Sequence, residues 1–217
     1  MTRHAEEDYI KFIYEYGVNQ SETVQVKHIA AYFNYSDQSV YEMVKKLQEQ
    51  DMVIYQPYKG ITLSNKGKQE AIRMIRSHRI WEVFLKEYLD YSWEEVHDEA
   101  ELLEHASSDD LLQRLYAKLG SPKTCQHGNP IPDFDGHIEH QKMVALADVK
   151  EGVSFKILKV LDHSELLSYL KTSNIKLHDV VTVKSIQPFH EIIEIDSQGK
   201  TITMSLKTAS MIYGTIQ

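Results

Sequence analysis

The stretch VHDEAELLEH, residues 96–105, places imidazole and carboxylate side chains at helical spacing. Because an α-helix turns about 100° per residue, His97, Glu101, Glu104 and His105 fall within an arc of roughly 100° on one face. The apolar residues between them share another face, which can pack into protein. Imidazole and carboxylate groups gathered in this way are the donors that divalent transition metals bind.

A second donor pair lies upstream, where His78 and Glu82 are spaced i and i+4 and share a face of the preceding helix. Two helices joined by a short loop can bring the two sets of donors together. Between Ser92 and Asp110 the chain also carries eight acidic residues and no Lys or Arg. The charge pattern therefore predicts a cationic ligand in this region.

Other interpretations of these residues stay open. The spacing matches neither the HExxH of metalloproteases nor a doubled Glu-x-x-His, but a metal-dependent hydrolase or oxidase could use the same cluster. The acidic face could instead form ion pairs with Arg73, Arg76 or Arg79. Cys125 and His127 form a C-x-H pair that could bind a metal, although a single thiol in a proline-bearing loop is more typical of an ordinary turn residue.

Composition limits the class of protein. The 217 residues are 42% hydrophobic and 26% charged, enough for two or three small domains. A net charge of −8 by itself speaks against nucleic-acid binding. The single cysteine excludes an internal disulfide, and neither a signal-like apolar run nor an 18-residue apolar stretch occurs. We expect a cytoplasmic protein without a membrane span.

The N-terminal part predicts a winged helix-turn-helix. A helix over residues 5–16 with a stop at Gly17 is followed by helices in VKHIAAYFN and DQSVYEMVKKLQEQ, the latter capped by Ser36, and by two strands in DMVIYQPYKGITLS. In this module the second helix of the pair enters the major groove of DNA. The candidate DNA contacts are Lys27, Ser36, Gln38, Ser39, Lys45 and Lys59.

The rest of the chain predicts a helical layer and then a small β domain. A long amphipathic helix over 65–90 precedes two shorter helices capped by Ser92 and Ser108, which suggests a dimerisation layer. The loop SPKTCQHGNPIPDFDGH marks a domain boundary. After it, VSFKILKVL, DVVTVKSIQ, HEIIEID and KTITMSL predict strands around a helical piece, HSELLSYLKT, in a small β-barrel.

With these elements in place, HRIWEVFLKEYLDYSWEEVHDEAELLEH followed by CQHGNPIP resembles the DtxR/MntR family of metal-dependent transcriptional repressors. The resemblance covers nearly the whole chain. It implies an α+β fold with a winged helix-turn-helix DNA-binding domain at 1–64, a helical metal-binding and dimerisation domain at 65–140, and a C-terminal SH3-like (FeoA-like) domain at 150–217.

The resemblance also implies two sets of metal ligands. The primary set is Asp8, Glu101, Glu104 and His105, and the secondary set is His78, Glu82 and His97, completed by a side chain of the C-terminal domain that we place at Asp162. Asp8 lies in the DNA-binding domain and the other three primary ligands lie in the dimerisation domain. A metal bound by all four would tie the two domains together.

Departures from the family pattern indicate the metal. Iron-responsive members carry Met and Cys where this chain has Asp8 and Glu101. Carboxylate oxygens are harder donors than these sulfur atoms and therefore favour Mn²⁺. Fe²⁺ is also compatible, with Zn²⁺, Co²⁺ or Cd²⁺ as surrogates. Short manganese-sensing members have an acid where this chain has Lys11, so we expect two separated sites rather than paired metals.

The resemblance implies a regulator and not an enzyme. We expect a metal-activated homodimer that binds double-stranded operator DNA, with one or two dimers per operator, and represses metal-ion uptake genes. Because SDQSVYEM departs from the family at Asp37 and Gln38, the operator sequence does not follow from the resemblance.

Overall fold

The computed structural model describes residues 3–20, 23–93, 95–139 and 141–217 and has the expected α+β class. The chain forms two compact units. Unit 1 consists of Met1–His78, Leu102–Gln113 and Pro132–His137, and unit 2 of Arg79–Glu101, Arg114–Ile131 and Ile138–Gln217. The boundary therefore passes within three continuous helices, and the division at 1–64, 65–140 and 150–217 stays a prediction.

Unit 1 begins with the winged helix-turn-helix that the sequence predicts. Its elements are α1 (Arg3–Gln20), α2 (Val26–Phe33), α3 (Asp37–Glu49), β1 (Val53–Gln56) and β2 (Gly60–Leu63). Ser36 caps α3, because its hydroxyl accepts a hydrogen bond from the backbone N–H of Ser39 at 3.2 Å. β1 and β2 pair antiparallel as the wing hairpin.

The predicted end of α1 at Gly17 is wrong, since the helix continues to Gln20. A glycine inside a helix costs only about 1 kcal/mol. That cost does not end a helix whose Tyr9, Ile10 and Ile13 are buried in the core of unit 1. The opposite face of α1, an arc of roughly 100°, carries His4, Glu7, Asp8 and Lys11.

Three further helices follow the wing: α4 (Asn65–Leu89), α5 (Val96–Glu104) and α6 (Asp109–Lys118). The hydroxyl of Ser108 accepts from the N–H of Leu111 at 3.2 Å, which confirms Ser108 as the cap of α6. Ser92 does not cap α5, because that helix starts at Val96 and the Ser92 hydroxyl donates instead to the Glu95 carboxylate.

Unit 2 contains a six-stranded antiparallel sheet in the order β3-β8-β4-β5-β6-β7. Its elements are β3 (Val144–Ala145), β4 (Ser154–Val160), α7 (Ser164–Thr172), β5 (Val180–Gln187), β6 (Ile192–Ser197), β7 (Lys200–Ser205), α8 (Leu206–Ala209) and β8 (Ile212–Ile216). The four predicted strands and the helix between the first two are confirmed, whereas β3 and β8 are additional. Within the described ranges β3 and β7 each pair on one side only, so the SH3-like sheet is not closed.

The unit 2 core lies between the sheet and α7. It includes Phe155 and Ile157 of β4 and Leu167 and Leu170 of α7. In β6 every second residue is buried, as expected for a strand with one face on a core. No helix in the described part of the chain is both long enough and apolar enough to cross a membrane.

A tight turn at residues 125–129 packs against β4. The N–H of Cys125 donates to the carbonyl of Asn129 at 2.9 Å, and the N–H of Val160 donates to the carbonyl of His127 at 2.9 Å. Gly128 adopts φ +77°, and a Cβ at this position would lie 1.9 Å from the carbonyl oxygen of Leu158. The turn therefore needs glycine both for its backbone angle and for its contact with β4.

Replacing Gly128 by Ala should lower the free energy of unfolding by about 3 kcal/mol or more, because the backbone must move away from Leu158. Gly152 is a matched control: it has φ +79° but nothing within 4 Å of an added Cβ. Gly152→Ala should therefore cost only about 1 kcal/mol. Urea unfolding of both variants measures the difference, and equal losses would contradict the contact described for Gly128.

Candidate metal centres

A cluster of oxygen and nitrogen donors lies in unit 1, where Asp8 of α1 meets the end of α5. Asp8, Glu104 and His105 offer ligand atoms within 4.8 Å of one another. Nε2 of His105 lies 3.0 Å from Oδ1 of Asp8 and 3.8 Å from Oε1 of Glu104. Two carboxylates and one imidazole nitrogen at this spacing fit a hard or borderline dication.

Glu7 sets the orientation of the His105 ring. Nδ1 of His105 lies 2.7 Å from Oε2 of Glu7, whose carboxylate accepts the Nδ1–H hydrogen bond. Glu7 is buried, and Nη2 of Arg73 donates to its other oxygen at 3.2 Å. Because Nδ1 is engaged by Glu7, Nε2 is the nitrogen that faces Asp8 and Glu104. The sequence interpretation does not include Glu7.

The pKa of His105 responds to these neighbours. Burial lowers it, but hydrogen bonds to Asp8 and Glu7 outweigh burial and raise the pKa to about 9. The cluster thus favours a positive charge at the position of His105 Nε2. Either a proton on the ring or a metal ion beside it supplies that charge.

The Glu104 carboxylate is the most enclosed donor of unit 1, with a side chain that is 0% exposed. Nζ of Lys11 lies 3.0 and 2.9 Å from its two oxygens. Nδ1 of His78 lies 2.6 Å from Oε2. The hydroxyl of Ser77 also donates to the backbone carbonyl of Glu104 at 3.1 Å, which fixes the end of α5 against α4.

A second cluster lies entirely within unit 2. Glu82, Cys125 and His127 are all buried and offer ligand atoms within 4.8 Å of one another. Oδ1 of Asp162 lies 2.7 Å from Nδ1 of His127, and Oε1 of Glu82 lies 3.0 Å from the same nitrogen. The side-chain amide of Asn129 donates to both oxygens of Asp162 at 3.2 Å and so holds that carboxylate in place.

The position of His127 fits a bound cation. Its Nε2–H donates to the backbone carbonyl of Trp93 at 3.1 Å, so Nδ1 is the nitrogen that faces the carboxylates. Nδ1 is buried and makes no hydrogen bond of acceptable geometry with any described residue. Although burial opposes it, the nearby Asp162 carboxylate raises the pKa of His127 strongly. A metal ion on Nδ1 would neutralise the same carboxylates.

The thiol of Cys125 completes this donor set. Burial raises its pKa to about 12, so the sulfur carries its proton at neutral pH unless a cation displaces it. The interpretation of Cys125 and His127 as turn residues leaves this cluster out. The C-x-H spacing is the one sequence signal for it, since the turn at 125–129 brings both side chains to the same place.

The residues that the resemblance implies as secondary ligands contact different partners and lie in both units. Glu82 and Asp162 meet at His127 in unit 2, whereas His78 contacts Glu104 in unit 1. His97 and Glu101 share the first turns of α5, with 3.7 Å between Nε2 and Oε1. Glu101 lies on α5 four residues before His105, which directly follows that helix. The assignment of these residues as ligands stays a prediction.

The six candidate DNA contacts lie on α2, α3, the segment between these helices and the wing. Five are exposed and Ser39 is half-buried. Ser36 uses its hydroxyl as a cap, and the amide of Gln38 donates to Glu42 at 2.8 Å. Nζ of Lys45 lies 5.5 Å from the ring centre of Tyr41 and 5.7 Å from that of Tyr55. Their contacts with DNA stay a prediction.

The His105 pKa gives a testable pH dependence in metal-free protein. Its pKa is raised from 6.5 to about 9 in the folded chain, so the stabilisation is fully present below pH 6.5 and is lost as pH rises to 9. We expect the free energy of unfolding to fall by about 2 kcal/mol between pH 6.5 and 9, measured by urea unfolding in the presence of chelator.

Glu7→Gln should shrink this loss because it removes one of the two carboxylates that favour the charged ring. Glu6→Gln is the matched control, since Glu6 is on the same helix but pairs with Lys46 at 2.5 Å. The description of His105 is wrong if both variants keep the full pH dependence of the wild type.

Comparisons with known proteins identify three domains along the chain. Residues 1–61 match the model of the iron-dependent repressor N-terminal DNA-binding domain, residues 64–133 that of its metal-binding and dimerisation domain, and residues 144–215 the FeoA domain. The iron-dependent repressor IdeR of Mycobacterium leprae is 27% identical over 95% of this chain and 94% of its own length.

Solved structures extend the similarity to the fold. A manganese-dependent transcriptional repressor in complex with manganese is 32% identical, with a TM-score of 0.87 over 98% of this chain and 100% of its own. The manganese regulator SloR is 34% identical, with a TM-score of 0.86 over 98% of both chains. Matches of this identity over the full length show that the chain belongs to the DtxR family of metal-dependent transcriptional repressors.

Proposed function

We propose that this repressor responds to Mn²⁺, binds operator DNA as a metal-activated homodimer, and controls metal-ion uptake genes. The observation that carries the proposal is the donor set of unit 1. Asp8, Glu104 and His105 offer only carboxylate oxygen and imidazole nitrogen. These donors suit Mn²⁺, whereas thiolate and thioether groups favour softer ions.

The relatives alone do not choose between metals. The M. leprae relative is named for iron, and two of the solved neighbours are named for manganese. Fe²⁺ binds oxygen and nitrogen donors at least as tightly as Mn²⁺ in general, so selectivity depends on ligand type and on availability in the cell. The hard donors of unit 1 support Mn²⁺.

Glu101 is the fourth ligand that the family resemblance implies for the unit 1 centre. It lies on α5 and precedes by four residues His105, which directly follows the last residue of that helix. In unit 2, the ligands would be Glu82, Cys125, His127 and Asp162. Binding there would release the thiol proton of Cys125, and affinity would therefore rise with pH. We assign a supporting role to this second centre because it lies outside the DNA-binding helices.

The unit 1 residues explain how metal binding changes DNA affinity. Asp8 belongs to α1, within the segment that matches the DNA-binding domain, and Glu104 and His105 lie in the segment that matches the metal-binding and dimerisation domain. A bound ion neutralises the carboxylates, so these residues hold α1 to α5. In a dimer this fixes the separation of the two α3 helices, which must match half-sites about 34 Å apart.

The test uses DNA selected by the protein from a random-sequence pool in the presence of Mn²⁺. Fluorescence anisotropy should show 5–150-fold tighter binding with Mn²⁺ than with chelator, the range expected for a coupling of about 1–3 kcal/mol. The mass of the complex gives the number of dimers per duplex. Equal DNA affinity in both conditions would remove the proposed switch.

Asp8→Ala should reduce the Mn²⁺-dependent gain in DNA affinity to less than threefold, because α1 then contributes no ligand. Asp98→Ala is the matched control, since Asp98 is an exposed carboxylate on α5. It should keep the full gain. A wild-type response in Asp8→Ala would show that metal binding acts through other residues.

Asp8→Met should move the metal preference toward iron, because a thioether replaces a hard oxygen donor. We expect the ratio of Mn²⁺ to Fe²⁺ affinity, measured anaerobically by competition with a fluorescent chelator, to fall by about tenfold. An unchanged ratio would mean that the ligand at position 8 does not set the selectivity.

A further inference from the structure

A lysine side chain lies inside the donor cluster of unit 1. Nζ of Lys11 is 3.0 Å from Oε1 and 2.9 Å from Oε2 of Glu104, and the two side chains are 10% and 0% exposed. The same ammonium group is 3.3 Å from Nδ1 of His78. Lysine is seldom buried unless it is paired, so its position reflects a specific role for its charge.

Lys11 reaches this position because of helix geometry. It lies three residues after Asp8 and four after Glu7, on the face of α1 opposite the apolar residues that enter the unit 1 core. Glu104 lies at the end of α5, and its contact with Lys11 joins residues 93 positions apart in the chain. The pair therefore links α1 to α5 with no metal involved.

A cation in this position has two opposite effects. In metal-free protein it compensates the buried Glu104 carboxylate and holds α1 to α5. When an ion binds Asp8, Glu104 and His105, the ammonium group and the dication share the Glu104 carboxylate and repel each other. At an effective dielectric constant of about 20, charges separated by about 5 Å interact strongly enough to change affinity by more than tenfold.

We propose that Lys11 is a fixed internal cation of the unit 1 centre that sets its affinity for a dication. The inference rests on the proposed function, because it assumes that this centre binds metal. Lys11 keeps the centre assembled without metal and weakens metal binding, so the protein responds only when the ion is plentiful.

Two substitutions separate charge from positioning. Lys11→Met removes the charge and the hydrogen bonds with little change in shape, and Lys11→Gln removes the charge but keeps a donor. If the charge sets affinity, both variants bind Mn²⁺ at unit 1 at least tenfold more tightly at pH 8. If Lys11 only positions Glu104, Lys11→Met binds more weakly and Lys11→Gln behaves like wild type, which would overturn the proposal.

Lys46→Met is the matched control. Lys46 of α3 pairs with Glu6 of α1 at 2.5 Å, so this variant also removes an ion pair that joins α1 to another helix, but outside the donor cluster. Its Mn²⁺ affinity should equal that of wild type. In chelator, Lys11→Met should lower the melting temperature by about 5 °C or more, and Lys46→Met should lower it much less, because its ion pair is more exposed.

The measurement must separate the two centres. A Co²⁺ titration does so, because only the unit 2 cluster contains a thiol, and its thiolate-to-cobalt absorption band reports that centre alone. Competition between Mn²⁺ and a fluorescent chelator then gives the Mn²⁺ affinities of the two centres. The Lys11 variants should change only the affinity of the unit 1 centre, which gives no thiolate band.

The outcomes distinguish the two proposals. Wild-type protein that binds metal only at the thiolate centre would overturn both the metal centre of unit 1 and the role of Lys11. Wild-type protein that fills both centres, with Lys11 variants that bind Mn²⁺ no more tightly, would overturn the role of Lys11 alone. If both Lys11 variants bind Mn²⁺ more tightly and Lys46→Met binds it as wild type does, the result supports both the metal centre of unit 1 and the role of Lys11.

Discussion

The buried carboxylate of Glu104 is the constraint on which unit 1 depends. A carboxylate that is fully enclosed is unstable unless nearby positive or donor groups compensate it. Lys11 of α1, His78 of α4 and His105 beside it supply those groups. Helices from the DNA-binding and metal-binding segments therefore converge on one negative charge. Any change in the charge around Glu104 acts on both segments at once.

In both candidate centres a hydrogen bond to one ring nitrogen of a histidine orients the other ring nitrogen. In unit 1 the Glu7 carboxylate accepts from Nδ1 of His105, and in unit 2 the carbonyl of Trp93 accepts from Nε2 of His127. In each case the other ring nitrogen faces two carboxylates. The arrangement concentrates negative charge beside that nitrogen, where a proton or a metal ion compensates it, and this charge raises the pKa of both rings. Two chemically different donor sets result, and of the two centres only that of unit 2 contains a sulfur donor.

Local sequence patterns predict most of the elements but only part of each centre. Hydrophobic periodicity predicts the hairpin and helices α2 to α4, and the family resemblance brings Asp8, Glu104 and His105 together. Glu7 and the contact of Lys11 with Glu104 do not follow from periodicity, because they join α1 to residues more than 90 positions away. Apart from the C-x-H spacing, no local pattern indicates the Cys125 and His127 cluster, because it depends on a glycine turn packed against β4. The short strand β3 carries too few residues to show alternation.

Gly17 gives a simple example of tertiary structure overriding a local signal. A glycine after an apolar helical pattern predicts a helix end, but burial of Tyr9, Ile10 and Ile13 stabilises α1 by more than the glycine costs. The extra turn lies beyond the polar face that carries Asp8 and Lys11. Packing of the helix against the unit 1 core, and not its own propensity, therefore fixes the orientation of these side chains.

The central claim is that Asp8, Glu104 and His105 hold one ion through oxygen atoms and Nε2. Anomalous scattering from a crystal of the full chain soaked in Mn²⁺ tests it most directly. The account predicts a manganese peak in bonding contact with all three side chains, in addition to any peak at Cys125 and His127. Manganese at the thiol cluster alone, with the Asp8 carboxylate directed to solvent, would contradict it.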